Sequence, residues 1–209
     1  MKSQLLLLLM VVTFGITVKA QTLSEVLNNT ETPIFYYGID FTKARLMGDP
    51  NANPRDIVER QFAGINALII NEYKKYDVAK AFRRAELAND LSYTDKRNEK
   101  ADPNQLLSTN SDDFNRLSEK DIQTLISSFN GGSKTGTGLV FVVEGMSKTK
   151  KALSLWVTLF DIKTRKVLMT KRMEGALGSG FSFRNYWATG FKKIIDQIEK
   201  SEYKKWKSN

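Results

Sequence analysis

Two residue types are missing from this chain of 209 residues, which contains no cysteine and no histidine. Without cysteine it can form no disulfide, no thiolate metal site and no acylated cysteine of the kind that tethers a bacterial lipoprotein. Without histidine it lacks the usual general base near neutral pH, the commonest metal ligand and any Ser-His-Asp arrangement. Chemistry that uses carboxylates alone, as in glycoside hydrolysis, stays open. We expect no catalytic residue, no metal site and no cofactor.

Long hydrophobic runs are also scarce, and the one that is present lies at the amino terminus. Lys2 precedes an apolar run over residues 5–18, and Val18-Lys19-Ala20 suits a signal peptidase. Residues 1–20 are therefore predicted to be a signal peptide that is cleaved near Ala20. No later run approaches the length of a membrane-spanning helix, so we expect a periplasmic or secreted protein, in a bacterial envelope, with at most peripheral membrane contact.

Basic residues are distributed unevenly along the chain. Residues 21–133 hold 14 basic and 17 acidic residues, a net charge of −3, whereas residues 134–209 hold 16 basic and 6 acidic residues, a net charge of +10. A basic region attracts polyanions over a Debye length of about 8–10 Å. Acidic envelope proteins and anionic envelope polymers are the expected partners, and nucleic acid is not. The alternative is a lysine-rich surface that only keeps the protein soluble.

The first half of the chain gives few clear structural signals. Residues 21–33 are polar and predict a flexible lead-in, and residues 34–41 are aromatic and β-branched, as is typical of a strand. Asn53 followed by Pro54 suits a helix start, and apolar residues spaced by three and four predict a helix over 54–70. Residues 71–113 are hard to interpret, with a weak edge strand at 91–94.

The second half of the chain is more regular. Ser118 and Asp121 have the spacing of a capping box that starts a short helix. Residues 139–145, 153–160 and 167–175 predict three strands in an antiparallel meander, and a last helix starts near Ser182. Together these elements predict a single α+β domain over residues 34–209. Its sheet would be mostly antiparallel, with about five strands and helices packed on one face.

Several apparent motifs are better explained by structure than by chemistry. The run GGSKTGTG at 131–138 lacks the Gly-Lys pair of a phosphate loop, and GALGSG at 175–180 has the wrong glycine spacing for a dinucleotide site. The acidic residues Asp102, Asp112 and Asp113 lack the ligand pattern of a calcium loop. Asp40, at the end of the first predicted strand, is the most interesting carboxylate, and a turn-capping role is favoured over catalysis.

Residues of the last helix are the candidate binding residues. An aromatic group could stack on sugars, but helical spacing makes most of its members core residues; the group is Tyr36, Tyr37, Phe181, Phe183, Tyr186, Trp187 and Phe191. Lysines crowd the other faces of the helix and its end. The candidate partner-binding residues are Lys192, Lys193, Lys200, Lys204 and Lys205.

The run LVFVVEG at 139–145, followed by LSLWVTLFDIKTRKVLMTKRMEG at 153–175, resembles the strand and D-x-x-T-x-K-V hairpin of the TolB amino-terminal and CsgG/LpoB type of envelope domain. The chain is also similar in layout to many exported proteins of Bacteroidetes. The resemblance implies a non-enzymatic domain that binds other envelope proteins.

The leading hypothesis is therefore an exported, non-catalytic binding or assembly module that uses its basic carboxy-terminal half. The alternatives are a carboxylate-dependent hydrolase of cell-wall sugars and a small-molecule carrier with a pocket between sheet and helices.

Overall fold

The computed structural model describes residues 21–208. The predicted signal peptide lies outside the described residues. Residues 21–208 contain seven strands: β1 (Ile34–Asp40), β2 (Arg45–Met47), β3 (Ala88–Asn89), β4 (Leu107–Ser108), β5 (Thr137–Ser147), β6 (Ala152–Asp161) and β7 (Val167–Ala176). The helices are α1 (Leu23–Asn28), α2 (Pro54–Asp56, continued by the π-helical turn Ile57–Gln61 and by Phe62–Asn71), α3 (Val78–Ala81), α4 (Ser92–Asn98), α5 (Glu119–Ser127) and α6 (Phe183–Gln197, continued by the π-helical turn Ile198–Glu202 and by Tyr203–Ser208). Two 3₁₀ turns are Pro103–Gln105 and Ser111–Asn115.

All seven strands belong to one curled sheet that is mostly parallel. Strand β5 pairs in parallel with β1 along its first half and with β2 near its end. In turn, β3 pairs in parallel with β1, and β4 with β2. Only the pairings of β5 with β6 and of β6 with β7 are antiparallel. The predicted, mostly antiparallel sheet is therefore wrong.

The error has a physical cause. Strands β2, β3 and β4 contain only two or three residues each. Such short segments show no alternation of apolar and polar residues, and parallel neighbours are joined by long connections that no local pattern reveals. The meander of β5, β6 and β7 is the part of the sheet that local sequence does reveal, because hairpins join neighbouring strands.

Helices cover both faces of the sheet, so the prediction that they pack on one face is also wrong. On one face, Leu139 and Phe141 of β5 belong to a large core that includes Phe62 of α2 and Trp187 of α6. On the other face, Val140 belongs to a smaller core under α5. A strand whose consecutive residues are all apolar is typical of a sheet that is buried on both sides.

The amino-terminal segment packs on the carboxy-terminal helix. Val26 and Leu27 of α1 are fully buried. The buried Arg84 donates a hydrogen bond of 2.6 Å to the Val26 carbonyl oxygen, and the Tyr203 hydroxyl donates one of 3.0 Å to the Leu27 carbonyl oxygen. In the structure, the polar segment that was expected to be a flexible lead-in thus contains a short helix with an anchored apolar face.

Several local predictions are confirmed. Asn53 caps the long helix through its side chain, and Ser118 and Asp121 form the expected capping box. Ser182 caps α6. The weak edge strand expected at 91–94 is wrong, because α4 begins there. Most of the aromatic group lies in the core, as expected, but Phe181 is fully exposed.

Within residues 21–208, no helix combines the length and apolar character that crossing a membrane requires.

Candidate functional site

A break in the sheet between β1 and β2 shapes the most highly charged cavity described. Residues 41–44, which connect β1 to β2, do not pair with β5. Just before them, the register of β1 on β5 shifts between Tyr36 and Ile39, and Gly38 within this shift adopts a φ of +86°. Only glycine adopts such a left-handed conformation at little cost. A Cβ there would also lie 2.8 Å from the Asn66 side-chain oxygen. This glycine therefore fits both the backbone conformation and the crowding at the break.

Two buried asparagines bond the backbone at this break. Asn66 of α2 accepts a hydrogen bond of 2.8 Å from the Ile39 amide and donates one of 3.1 Å to the Ile39 carbonyl oxygen. Asn98 of α4 accepts one of 2.7 Å from the Phe41 amide and donates one of 2.9 Å to the same Ile39 oxygen. Buried backbone groups that leave a sheet need such partners. The two amides therefore fix the end of β1 and the loop that follows.

Beside this loop lies a cavity of about 630 Å³, which we call the basic cleft. Its lining includes five cationic side chains and two carboxylates: Lys43, Arg45, Arg97, Lys100, Arg116, Asp102 and Asp121. The residues come from the 41–44 loop, β2, α4 and the segment that follows it, the segment before α5, and α5 itself. The cleft is therefore assembled from elements that are distant in sequence.

Arg97 forms an ion pair with Asp40 beneath the cleft. Its Nε atom lies 2.7 Å from the Asp40 Oδ2 atom, and its guanidinium lies 5.3 Å from the centre of the Phe129 ring. Asp40 is fully buried, and its Oδ1 atom accepts hydrogen bonds from the Thr42 amide at 2.9 Å and the Thr42 hydroxyl at 2.5 Å. The turn-capping role that was favoured for Asp40 is therefore confirmed.

Arg45 and Arg116 are held by neutral groups instead. Arg45 donates hydrogen bonds of 3.1 Å to the Gln105 side-chain oxygen and to the Ala44 carbonyl oxygen. Arg116 donates one of 2.5 Å to the Lys43 carbonyl oxygen. Burial lowers the pKa of the Arg116 guanidinium, and the neighbouring charge of Arg45 lowers it further. An arginine stays protonated in proteins, so both side chains keep a full positive charge. The nearby carboxylates of Asp113, Glu144 and Asp121 favour the charged form of Arg116, but within residues 21–208 neither arginine forms an ion pair.

The two carboxylates of the cleft are engaged in capping. Asp121 accepts hydrogen bonds of 2.8 Å from the Ser118 amide and 2.6 Å from the Ser118 hydroxyl, and these bonds lower the pKa of Asp121. Asp102 accepts one of 2.9 Å from the Asn104 amide. The charge of Lys43 also lowers the pKa of Asp121. The five cations of the lining outnumber its two carboxylates, so positive charge dominates the cavity.

A second buried carboxylate positions Arg116 from below. Glu144 of β5 accepts hydrogen bonds from the Leu117 amide, from the Trp156 Nε1 atom at 3.0 Å and from the Arg172 Nε atom at 3.0 Å. Burial raises the pKa of Glu144, although these bonds and the Arg172 charge oppose that rise. Because Glu144 binds the amide of the residue after Arg116, it fixes the segment that carries this arginine.

The five lysines that were predicted to bind a partner all lie on α6, and none of them lines the basic cleft. Lys192 pairs with Asp196 at 2.5 Å, and Lys205 pairs with Glu202 at 2.6 Å. The other three predicted lysines, Lys193, Lys200 and Lys204, are exposed, and none forms an ion pair within residues 21–208.

None of the five cationic residues of the basic cleft was singled out from the sequence. They are spread from residue 43 to residue 116, inside the half of the chain whose net charge is negative. The one local signal, Lys96-Arg97 in a polar stretch, is too common to locate a site.

The two alternative functions find less support in the geometry. For the hydrolase, the best candidate was Asp40, and both of its carboxylate oxygens are already bound, Oδ1 by Thr42 and Oδ2 by Arg97. An apolar groove of about 600 Å³ lies beyond the ends of β2, β4 and β5, beside Met47 and Leu107. It is at the end of the sheet, whereas the carrier hypothesis predicts a pocket between sheet and helices.

Comparisons with protein-family models, with curated proteins and with solved structures gave no match.

Proposed function

We propose that the protein is an exported, non-catalytic binding module of the cell envelope that holds an anionic envelope polymer in the basic cleft. One observation carries this proposal. Of the five cationic side chains that line the cleft, Arg97 alone forms an ion pair within residues 21–208. Five cationic side chains share the lining with only two carboxylates, and bringing like charges together in this excess costs free energy, which a bound anion would recover.

Phosphate is the anionic group that best suits this arrangement. The planar guanidinium of arginine matches phosphate and carboxylate oxygens with two parallel hydrogen bonds. Arg45 and Arg116 are already oriented by neutral partners, so little side-chain freedom is lost on binding. The exposed Lys43 and Lys100 add charge at the rim. A phosphate of a longer polymer fits this combination of an oriented centre and a flexible rim.

The uneven charge of the chain supports the same function at longer range. The net charge of +10 over residues 134–209 attracts a polyanion before it reaches the cleft. The resemblance to envelope domains that bind without catalysis agrees with a binding module. In this proposal the lysines of α6 attract the anionic polymer at long range, whereas the basic cleft binds it.

Two charge-matched double variants test the proposal with fluorescein-labelled polyphosphate as the probe. K43Q/K100Q removes two exposed charges from the cleft, and K193Q/K200Q removes two exposed charges from α6. Exposed charges contribute about 0.2–1 kcal/mol each, so we expect the cleft variant, which loses two of them, to bind about two- to thirtyfold more weakly. The α6 variant should change the dissociation constant by less than about twofold, since its charges act only through screened attraction.

Fluorescence anisotropy over a range of salt concentrations measures both variants. Wild-type affinity should fall as ionic strength rises. Equal losses of affinity in the two variants would show that the basic cleft is not the binding site. Affinity that ignores salt, or no binding at low salt, would overturn the proposal.

A further inference from the structure

The outer edge of β7 has no strand beside it within residues 21–208, because β7 pairs with β6 alone. In an antiparallel ladder, alternate residues direct their N–H and C=O groups away from the neighbouring strand. On an edge strand these groups can pair with another chain. A strand of ten residues is long for an unprotected edge.

Two glutamines mark the ends of the open stretch. The Gln123 side chain of α5 accepts a hydrogen bond of 3.1 Å from the Val167 amide, and the Gln197 side chain of α6 donates one of 3.1 Å to the Glu174 carbonyl oxygen. The register with β6 is regular from Met169 to Ala176. Thr170 and Arg172 therefore direct their backbone groups outward, as Glu174 does. Within residues 21–208, no backbone group of 168–173 has a partner outside the ladder with β6.

A groove runs along this edge and gives it walls on both sides. The cavity of about 550 Å³ is lined by the consecutive residues 167–171. Lys120 and Gln123 of α5 lie on one side, and Leu23 and Trp206 lie on the other. A floor of open strand between two helical walls admits an extended peptide better than a compact ligand.

The charge around the groove selects the kind of peptide. Lys120 and Lys171 line the groove. Both lysines are exposed, and within residues 21–208 neither forms an ion pair. Glu119 is the one acid of the lining. The groove therefore favours an acidic segment.

A second copy of this chain suits the edge less well. Twofold pairing of β7 with itself about the middle of the strand would place Lys171 opposite Lys171, or Arg172 opposite Arg172. Like charges directly opposite each other destabilise a strand pair.

We propose that β7 accepts an extended acidic segment of another envelope protein as an added strand. The backbone of 168–173 supplies the hydrogen bonds, and the lysines beside the groove supply the preference for acid. This surface is separate from the basic cleft and does not depend on it.

Three synthetic peptides and amide hydrogen exchange test this proposal. The probe is an acetylated decapeptide of alternating Glu and Val, with a Lys-Val counterpart. The third peptide is the Glu-Val peptide N-methylated at two adjacent central residues, which blocks both of its edges. The Glu-Val peptide should bind and slow exchange of the Thr170 and Arg172 amides at least tenfold, since these amides gain partners. The N-methylated and Lys-Val peptides should bind at least tenfold more weakly.

Variants test whether the Glu-Val peptide binds at the edge of β7 and not in the basic cleft. K171E should weaken binding of the Glu-Val peptide at least fivefold, whereas K193E, a matched reversal on α6, and K43Q/K100Q should leave it unchanged. Equal binding of the N-methylated peptide, or no slowing at Thr170 and Arg172, would overturn the proposal. So would a dimer by light scattering that K171E dissociates, because a second copy would then occupy the edge.

Discussion

The basic cleft and helix α6 hold positive charge in opposite ways. On α6, an acidic residue lies three or four positions from Lys192 and Lys205 and pairs with each. In the cleft, Lys43, Arg45 and Lys100 face a shared cavity, and none of them forms an ion pair among residues 21–208. Yet the cleft belongs to the half of the chain with a net charge of −3, and α6 belongs to the half with +10. Net charge along a sequence therefore does not locate a concentration of charge in space.

The two regions also differ in what positions their cations. The lysines of α6 need only the helix itself, whose apolar side is buried against the sheet. The cleft depends on buried polar groups beneath it, namely Asp40, Glu144, Asn66 and Asn98. A buried polar network is stable only when its members are satisfied. The cleft should therefore be the more sensitive region to single substitutions.

The largest expected difference between the regions concerns their ion pairs. Asp40→Asn removes the charge partner of Arg97 in a buried setting and should lower the free energy of unfolding by about 3 kcal/mol. The matched Asp196→Asn breaks a partly exposed i, i+4 pair on α6 and should cost about 0.3–0.5 kcal/mol. Urea denaturation measures both variants. Similar losses of unfolding free energy in the two variants would show that the buried Asp40–Arg97 pair is no more important to stability than the pair on α6.

The next prediction concerns pH. The pKa of Glu144 is raised above the ordinary 4.5 by burial. A raised native pKa means that the native state binds the proton more tightly, so this contribution to stability is full below about pH 4.5 and is lost as pH rises through the raised pKa. The pKa of Glu202 on α6 is instead lowered by its bond to Lys205, so its contribution is present above pH 4.5 and is lost as pH falls.

Glu144→Gln should therefore remove a loss of stability that occurs as pH rises above 4.5, and Glu202→Gln should remove a loss of stability that occurs as pH falls below 4.5. The difference in unfolding free energy between wild type and each variant, measured by denaturation from pH 3 to pH 7, gives the two signs. If the unfolding free energy of wild type relative to that of Glu144→Gln increased with rising pH, burial would not be what raises the pKa of Glu144.

The smallest effect separates the lysines within α6. Lys192→Gln loses the pair with Asp196 and should cost about 0.3–0.5 kcal/mol, which lowers the melting temperature by about 1–2 °C. Lys193→Gln, one residue further on, should leave the melting temperature unchanged because its side chain is exposed and forms no ion pair within residues 21–208. Calorimetry of both variants measures this difference. Equal shifts in melting temperature for the two variants would show that the Lys192–Asp196 ion pair does not stabilise the protein.

Elements whose signals are local were predictable from the sequence. The helix over 54–70 was found from the cap at Asn53 and from apolar spacing, and α5 from Ser118 and Asp121. The three strands of the meander were found because each alternates or is wholly apolar over seven or more residues and short hairpins join them. The turn-capping role of Asp40 was also a local feature, since its partner Thr42 is two residues away.

The parallel part of the sheet was not predictable in this way. β1 meets β5 across about a hundred residues, and β3 and β4 consist of two residues each. The cleft shares this property, because Arg45 and Arg116 are brought together only when β2 pairs with β5 and the segment before α5 crosses Glu144. Candidate residues were therefore sought where lysines are dense in the sequence, on α6.

The sequence by itself determined three things: the exclusion of chemistry that needs cysteine or histidine, the sign and distribution of charge along the chain, and the elements stabilised by contacts within a few residues. Only the tertiary structure decided which strands are neighbours, that both faces of the sheet are covered, and where cations converge. The physical reason is the range of the interactions. Caps, periodic burial and hairpins act between residues close in the chain, whereas parallel pairing and a cleft built on buried Asp40 and Glu144 require distant residues to be packed first.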